Sequence, residues 1–271
     1  MSNVNPTLSG KVAFVTGSGR GLGRTIAERL AELGADVIIH DIDWNAPAKY
    51  GEAPDLGAVA KEIERYGTRT MAVTGNIGDQ AAVRRMAEEI TAKLGPVNVL
   101  VNCAGGDIGA QGGKPNPNNA LDISLLDIQT LINNNLIGTM LMCQAFCPAM
   151  IAAGGGAVIN IASAAAHFGT SPEVVYSTLK AAVVHYTRCL AAELRTQGVR
   201  VNAVSPGPTK TARFVATRKV DPAMMDAGAS LNRYGEPAEI ADVVAFLAGP
   251  AARFVNGQII RVDGGMTLYA G

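Results

Sequence analysis

Short apolar runs alternate with helix-like patterns from one end of the chain to the other. Val12–Thr16, Asp36–His40, Thr70–Val73, Val97–Val101, Ala157–Ala162, Arg200–Val204 and Gln258–Val262 read as strands. Most are continuous apolar runs rather than alternating ones, the pattern expected of strands covered on both faces. Helical periodicity fills the intervals at about 22–33, 56–66, 79–94, 124–152, 172–196 and 237–248. Strand–helix–strand repetition implies right-handed crossovers and a parallel sheet. No linker, low-complexity tract or short-period repeat interrupts it. The expectation is an α/β fold: residues 1–271 form one doubly wound domain, with a seven-stranded parallel sheet, helices on both faces and no separate substrate domain. Two connections, Asp43–Leu56 and Asp107–Leu121, are too long to be plain loops. They follow strands 2 and 4, where loops border the ligand crevice of such a sheet.

Composition narrows the class. Hydrophobic residues make up 48% and charged residues only 17%, which excludes disorder. Twenty-three basic residues balance twenty-three acidic ones without a Lys/Arg cluster, so no nucleic-acid partner is expected. Cys103, Cys143, Cys147 and Cys189 form no CxxC pair and have no His at metal spacing. They read as reduced, buried thiols, and no metal is expected. Met1–Gly10 lacks an apolar core, so no signal peptide and a cytoplasmic location are expected. From Ile128 to Pro172 there is no Asp, Glu, Lys or Arg, yet Asn133–Asn135, Gln144, Pro148, Gly154–Gly156 and Asn160 interrupt the run. A buried helix, a glycine turn and a strand explain it better than a membrane span.

The first strand runs into Thr16-Gly17-Ser18-Gly19-Arg20-Gly21-Leu22-Gly23, followed by a helix. Glycines let the backbone approach a pyrophosphate, while the helix N-terminus offers N–H donors and a favourable dipole. Asp41, 24 positions after Gly17, ends the second strand where a ribose-binding carboxylate belongs. This is the sign of a Rossmann-type dinucleotide site. A kinase-type phosphate loop is excluded, because no Gly-Lys-Ser/Thr ending is present. Asp41 would repel a 2′-phosphate. Arg20 either attracts that phosphate or is a solvated turn residue, and the balance points to NAD over NADP.

The glycine segment, with five further features, resembles the short-chain dehydrogenase/reductase family over essentially the whole chain. Thr16–Gly23 is similar to its TGxxxGxG, and Asn102-Cys103-Ala104-Gly105 to its NNAG, with Cys in place of the second Asn. Tyr176-Ser177-Thr178-Leu179-Lys180 matches YxxxK, with Ser163 thirteen residues before the tyrosine. Asn135 falls where the family has a fourth catalytic residue, and Pro206-Gly207 resembles its PG motif. The resemblance implies Asn135, Ser163, Tyr176 and Lys180 as catalytic residues. It implies a cofactor site of Gly17, Arg20, Gly21, Leu22, Gly23, Asp41, Asn76, Ile77, Asn102, Ala104, Gly105, Tyr176, Lys180, Pro206, Gly207, Thr209 and Thr211. Lys180 would also hold the nicotinamide ribose, and Asn135 would position a water by its backbone carbonyl. Family practice adds a homotetramer: the charge-free helix before Gly154 and the apolar Val174–Leu194 helix would pair across a two-fold axis.

The chemistry also follows from the residues. Tyr176 and Lys180, four apart, share a helix face about 6 Å apart along the axis. A free tyrosine has a pKa of about 10, and bringing it near 7 requires roughly 4 kcal/mol. A cation at 4 Å supplies about that much at an effective dielectric of 20. The substrate oxygen would rest on Ser163 and Tyr176. His167, four residues after Ser163, and Phe214 are candidate substrate contacts, whereas His40 and His185 look structural. Pocket walls are expected from Asp107–Leu121, Ala164–Thr170 and 208–232, the last offering Phe214, Met224 and Met225 as an apolar lid. The reading is a hydride-transferring enzyme for a secondary alcohol or ketone, small and cyclic or polyol-like. Alternatives are a 3-oxoacyl-thioester reductase of the acyl-carrier-protein type and a non-catalytic dinucleotide sensor.

Overall fold

In the computed structural model, which describes residues 7–225, 228 and 230–268, seven parallel strands form one sheet. They are β1 (Val12–Val15), β2 (Asp36–Asp41), β3 (Thr70–Thr74), β4 (Val99–Asn102), β5 (Gly156–Ile161), β6 (Val199–Pro206) and β7 (Ile259–Val262). Their order is β3-β2-β1-β4-β5-β6-β7, so the winding direction reverses between β1 and β4. The connections from these two strands diverge and leave a crevice at their carboxyl ends. Alternate residues of β1 feed different layers, as the two-residue pleat requires. Ala13 and Val15 join Ile26 and Leu30 of α1 (Gly21–Glu32), Val59 of α2 (Leu56–Ile63) and Val244 on one face. Phe14 joins Met86 and Ile90 of α3 (Gln80–Leu94), with Met142 and Phe146, on the other. Each large apolar side chain so buried contributes about 1.5–3 kcal/mol.

The predicted helix at 124–152 is broken into α4 (Leu125–Ile132), a π-turn (Asn133–Ile137) and α5 (Gly138–Ala152). Ser124 starts it, its Oγ accepting from Asp127 N at 3.1 Å. The π-turn coincides with Asn135, whose side-chain amide donates to Leu131 O (2.9 Å) and Gly106 O (3.0 Å). Competition of that kind for backbone partners favours a local widening of the helix. The run Leu125–Ala152 is long and apolar enough to cross a membrane by length and composition. Here, however, Met142, Cys143, Phe146, Cys147 and Met150 pack into the sheet core.

Next come α6 (Val174–Leu194), α7 (Ala212–Thr217) and α8 (Pro237–Ala248), of which α7 was not legible as an element in the sequence. The Asp43–Leu56 connection contains a single 3-10 turn at Ala46–Tyr50. No cysteine is paired, but Cys189 is exposed on α6, which corrects the expectation that all four thiols are buried. Residues 1–6, on which most of the signal-peptide reading rests, and residues 226, 227 and 229 of the predicted pocket wall lie outside the described residues.

His40 joins the sheet to the first glycine turn. Its Nδ1 accepts from Gly17 N at 3.2 Å, and its Nε2 lies 2.9 Å from Gly75 O. One neutral tautomer, with the proton on Nε2, satisfies both contacts. Burial pulls the imidazole from 6.5 down to about 4. The unfolded chain therefore binds one more proton than the folded protein between these values, and stability falls as pH falls from 6.5 to 4. Denaturation at pH 7 and pH 4.5 should show a loss of about 2–3 kcal/mol from this residue. His40→Gln should be less stable at pH 7 and have a flatter profile. A variant profile parallel to the parent's would reject His40 as the source.

Candidate active site

Thr16 organises the crevice. Its Oγ1 accepts from both Cys103 N and Ala104 N at 3.0 Å, tying the end of β1 to the loop leaving β4. At the next position a Cβ would stand 2.8 Å from Ala104 Cα, and Gly17 has φ +66°, so only glycine fits. A Cβ on Gly23 would collide with the Gly17 carbonyl, which is why helix α1 can begin so close to the strand. Ser18 closes the turn, donating to Val15 O at 2.6 Å and accepting from His40 N at 2.9 Å.

Beside this turn lies a cavity of about 460 Å³ lined by Gly17, Arg20, Leu22, Asp41, Asn76 and Thr211, among others. Gly21, Gly23, Ile77, Ala104 and Gly105 from the sequence reading line it too. Asp41 is almost fully buried, and burial raises its carboxyl above the usual range, opposed by the Ile42 N–H and the Arg20 charge. Arg20 lines this cavity and is not a free turn residue. It donates to Ala46 O at 3.0 Å and stacks over the Tyr50 ring at 5.2 Å. Asn102 corrects the sequence reading. It lines neither cavity, because its amide turns into the sheet and donates to Asn160 Oδ1 at 2.8 Å.

A second cavity of about 430 Å³ adjoins the first and contains Ser163, Tyr176 and Lys180, with Pro206, Gly207 and Thr209 on its wall. Ser163 follows β5 and begins a 3-10 turn, its Oγ accepting from Ala165 N at 3.2 Å. Tyr176 and Lys180 come from the first two turns of α6. Lys180 Nζ donates to Ile161 O at 2.8 Å and lies 5.7 Å from the centre of the Tyr176 ring. Burial pulls this amine down to about 8. Burial also raises the Tyr176 phenol, with the Ser163 hydrogen bond and the Arg213 charge opposing it. The protein alone therefore does not lower Tyr176 by pairing it with Lys180, as the sequence argument expected. Asn135 stands behind the wall of this site. Its Oδ1 accepts from Gly106 N at 2.8 Å, and its carbonyl accepts from Thr139 Oγ1 at 2.9 Å.

The substrate candidates divide. Phe214 lines the second cavity and meets Tyr234 edge-on at 5.0 Å. His167 does not, since its Nε2 lies 2.9 Å from Ser205 Oγ, directed toward β6, which corrects its expected place as a substrate contact. Met224 and Met225 likewise stand off the lining. Three of the wall segments are as expected: Asp107, Ile108 and Lys114; Ala164, Phe168 and Thr170; Pro208, Thr217 and Arg218.

Sequence reasoning missed a charged rim at the mouth. Glu173 pairs with Lys114 and, at 3.0 Å, with Arg218, joining the 107–121 segment to α7. It also missed Glu52, which accepts from Gly21 N at 2.7 Å, and Arg213. No periodic or motif signal marks either residue. The joined cavities suit a two-part ligand: a buried carboxylate at one end can accept ribose hydroxyls, and a phenol–lysine pair stands at the other. They also suit a dinucleotide because Gly17, Gly21 and Gly23 of the turn at the start of α1 line the first cavity, where a helix N-terminus favours a diphosphate.

Comparison with known proteins agrees. The family model described as Enoyl-(Acyl carrier protein) reductase matches residues 17–267. The 3-oxoacyl-[acyl-carrier-protein] reductase FabG of Aquifex aeolicus (strain VF5) is 36% identical over 260 residues, covering 96% of this chain and 98% of that protein. Cyclohexanol dehydrogenase of Rhodococcus sp. (strain TK6) is 34% identical over 270 residues, covering 97% and 98%. A solved 7α-hydroxysteroid dehydrogenase complexed with NADH and 7-oxo glycochenodeoxycholic acid superposes with a TM-score of 0.83 at 31% identity, covering 98% and 97%. Related along nearly its full length to oxidoreductases in both sequence and fold, the chain belongs to the short-chain dehydrogenase/reductase family, whose members bind a nicotinamide dinucleotide.

Proposed function

We propose that the protein is an NAD-dependent dehydrogenase that interconverts a secondary alcohol and a ketone on a small cyclic or polyol-like molecule. The observation that carries this reading is Ser163, Tyr176 and Lys180 on one cavity wall, adjoining a second cavity with Asp41 at its far side. The bound dinucleotide supplies or accepts the hydride. The chain handles the proton. Tyr176 Oη takes it from the alcohol in oxidation and returns it to the ketone oxygen in reduction. Ser163 Oγ holds that oxygen. Lys180, anchored on Ile161 O, orients the cofactor's ribose and adds positive charge. Asn135 acts from behind the wall, its side-chain amide fixing the Gly106 backbone.

Phenol burial sets a sign. Oxidation needs the phenolate and should gain rate as pH rises, whereas reduction needs the phenol and should lose rate. Polar wall residues Asp107, Lys114 and Thr170 beside Phe168 and Phe214 favour a compact substrate with both polar and apolar edges. A panel of sugars, cyclic alcohols, steroids and acyl thioesters, read by NADH absorbance, tests the class. Turnover only with 3-oxoacyl thioesters would replace this reading with the reductase one. Tight NAD binding without any turnover would make the protein a sensor.

Tyr176→Phe should fold and bind NAD but lose about 10²–10⁴ in turnover, the usual share of general acid–base catalysis. Activity within threefold of the parent would remove Tyr176 from the mechanism. Lys180→Ala should lose turnover and also weaken NAD binding, and an unchanged cofactor Kd would delete its ribose contact.

Asp41 governs the cofactor preference. Its hydrogen bonds to ribose hydroxyls are worth about 1.5–3 kcal/mol, which gives NAD a preference over NADP of at least about tenfold. Asp41→Ser should narrow that ratio, measured as kcat/KM for both cofactors at fixed ionic strength. A parent that already prefers NADP would overturn the assignment.

The assembly proposed is a homotetramer in the cytoplasm, without membrane or nucleic-acid partners. It is supported by the uncharged α5 and by the outer face of α6, where Ala181, His185 and Cys189 are exposed. Light scattering at micromolar concentration should give four chain masses; a monomer would refute it.

A further inference from the structure

Seven residues line both cavities: Leu22, Cys103, Gly105, Ile108, Gly112, Thr211 and Arg213. Arg213 is the only charged one. It sits in the first turn of α7, a helix begun by Thr211 Oγ1 accepting from Phe214 N at 3.1 Å. Among the described residues it forms no ion pair. The guanidinium's one hydrogen bond among the described residues is a long one, Nη1 to Gly105 O at 3.4 Å. The guanidinium is pressed against Gly106, where a Cβ would stand 2.7 Å from Nη2, so that glycine makes room for it. Its charge acts on Asp41 in one cavity and on Tyr176 and Lys180 in the other.

A dinucleotide with its adenosine ribose at Asp41 and its nicotinamide at Tyr176 must place its diphosphate between them. The glycine turn supplies less there than its sequence suggests. Gly21 N, at the start of α1, already donates to the Glu52 carboxylate, so that N–H is spent and a negative charge stands beside the path. A diphosphate arriving there needs a cation, and planar guanidinium matches phosphate oxygens in pairs. We propose that Arg213 holds the cofactor's diphosphate, clamping α7 over the dinucleotide and offsetting Glu52. This inference rests on the dinucleotide reading above.

The test is equilibrium binding to the intact protein, followed by NADH fluorescence and by calorimetry with ADP-ribose and adenosine. Arg213→Gln should weaken NADH and ADP-ribose by about tenfold to a hundredfold, the scale of a charge-assisted contact, and leave adenosine unchanged. Arg213→Lys should recover part of the loss. In the parent, NADH affinity should fall with added salt more steeply than adenosine affinity, and this needs no variant. NADH binding within twofold of the parent in Arg213→Gln overturns the proposal. So does an equal loss for adenosine, which would mark a structural role, or a raised substrate KM with unchanged NADH affinity, which would give the arginine to the substrate. A parent that binds no NADH would instead overturn the dinucleotide reading itself.

Discussion

The site depends on the approach of two backbone segments that no side chain separates. Where β1 ends, Gly17 lies so close to Ala104 that a single added carbon would not fit, and Thr16 holds the contact by accepting two N–H groups from the opposite loop. A hydroxyl is suited to this because it accepts twice while donating to Val101 O at 3.4 Å. That knot places the glycine turn, the β4 loop and the carboxyl end of β2 around one crevice. The neutral His40 secures the turn from behind, bonded to Gly17 and near Gly75.

The catalytic end is built by a different means, buried polar anchors. Asn135 returns two bonds to Gly106 and one to Leu131, which fixes the loop after β4 to the helix layer through a π-turn. Asn102, Asn160 and Thr187 form a chain from β4 through β5 to α6, holding the helix that carries Tyr176 and Lys180 against the sheet. Unpaired buried amides would cost about 1–3 kcal/mol each, so these contacts specify one arrangement as well as stabilising it. Lys180 is the exception in kind. It is a buried cation held by a carbonyl rather than a carboxylate, which leaves its charge to act in the cavity and makes its proton easier to lose.

Around the crevice, charge is arranged in layers. Asp41 and Glu52 line the nucleotide side with Arg20 tied back to Ala46 and Tyr50, while Arg213 stands at the junction. Farther out, Glu173 gathers Lys114 and Arg218 and so links two wall segments that are distant in sequence. Glu173 has φ +79°, an unfavourable conformation for a residue with a side chain, and these ion pairs together with its N–H bond to Asn118 O hold it there.

Repeating apolar runs and helical periods were enough to determine the seven strands, their parallel direction and the main helices, because burial on both sheet faces imposes those patterns locally, whereas the order of the strands in the sheet came from the tertiary structure. The ends of β1 and β2 also marked Gly17 and Asp41, and the resemblance to a family's motifs marked Ser163, Tyr176 and Lys180. Tertiary structure alone decided the rest. His167, close to Ser163 in sequence, turned to Ser205 on β6; Asn102, inside a motif, bonded inward; the phenol's pKa rose with burial rather than falling with its lysine. Arg213 and Glu52 reach the crevice from segments with no repeating pattern. The reason is physical: periodicity reports what a residue's own element buries, whereas the direction of a polar side chain and the field at a buried proton depend on atoms brought near only when the chain has folded.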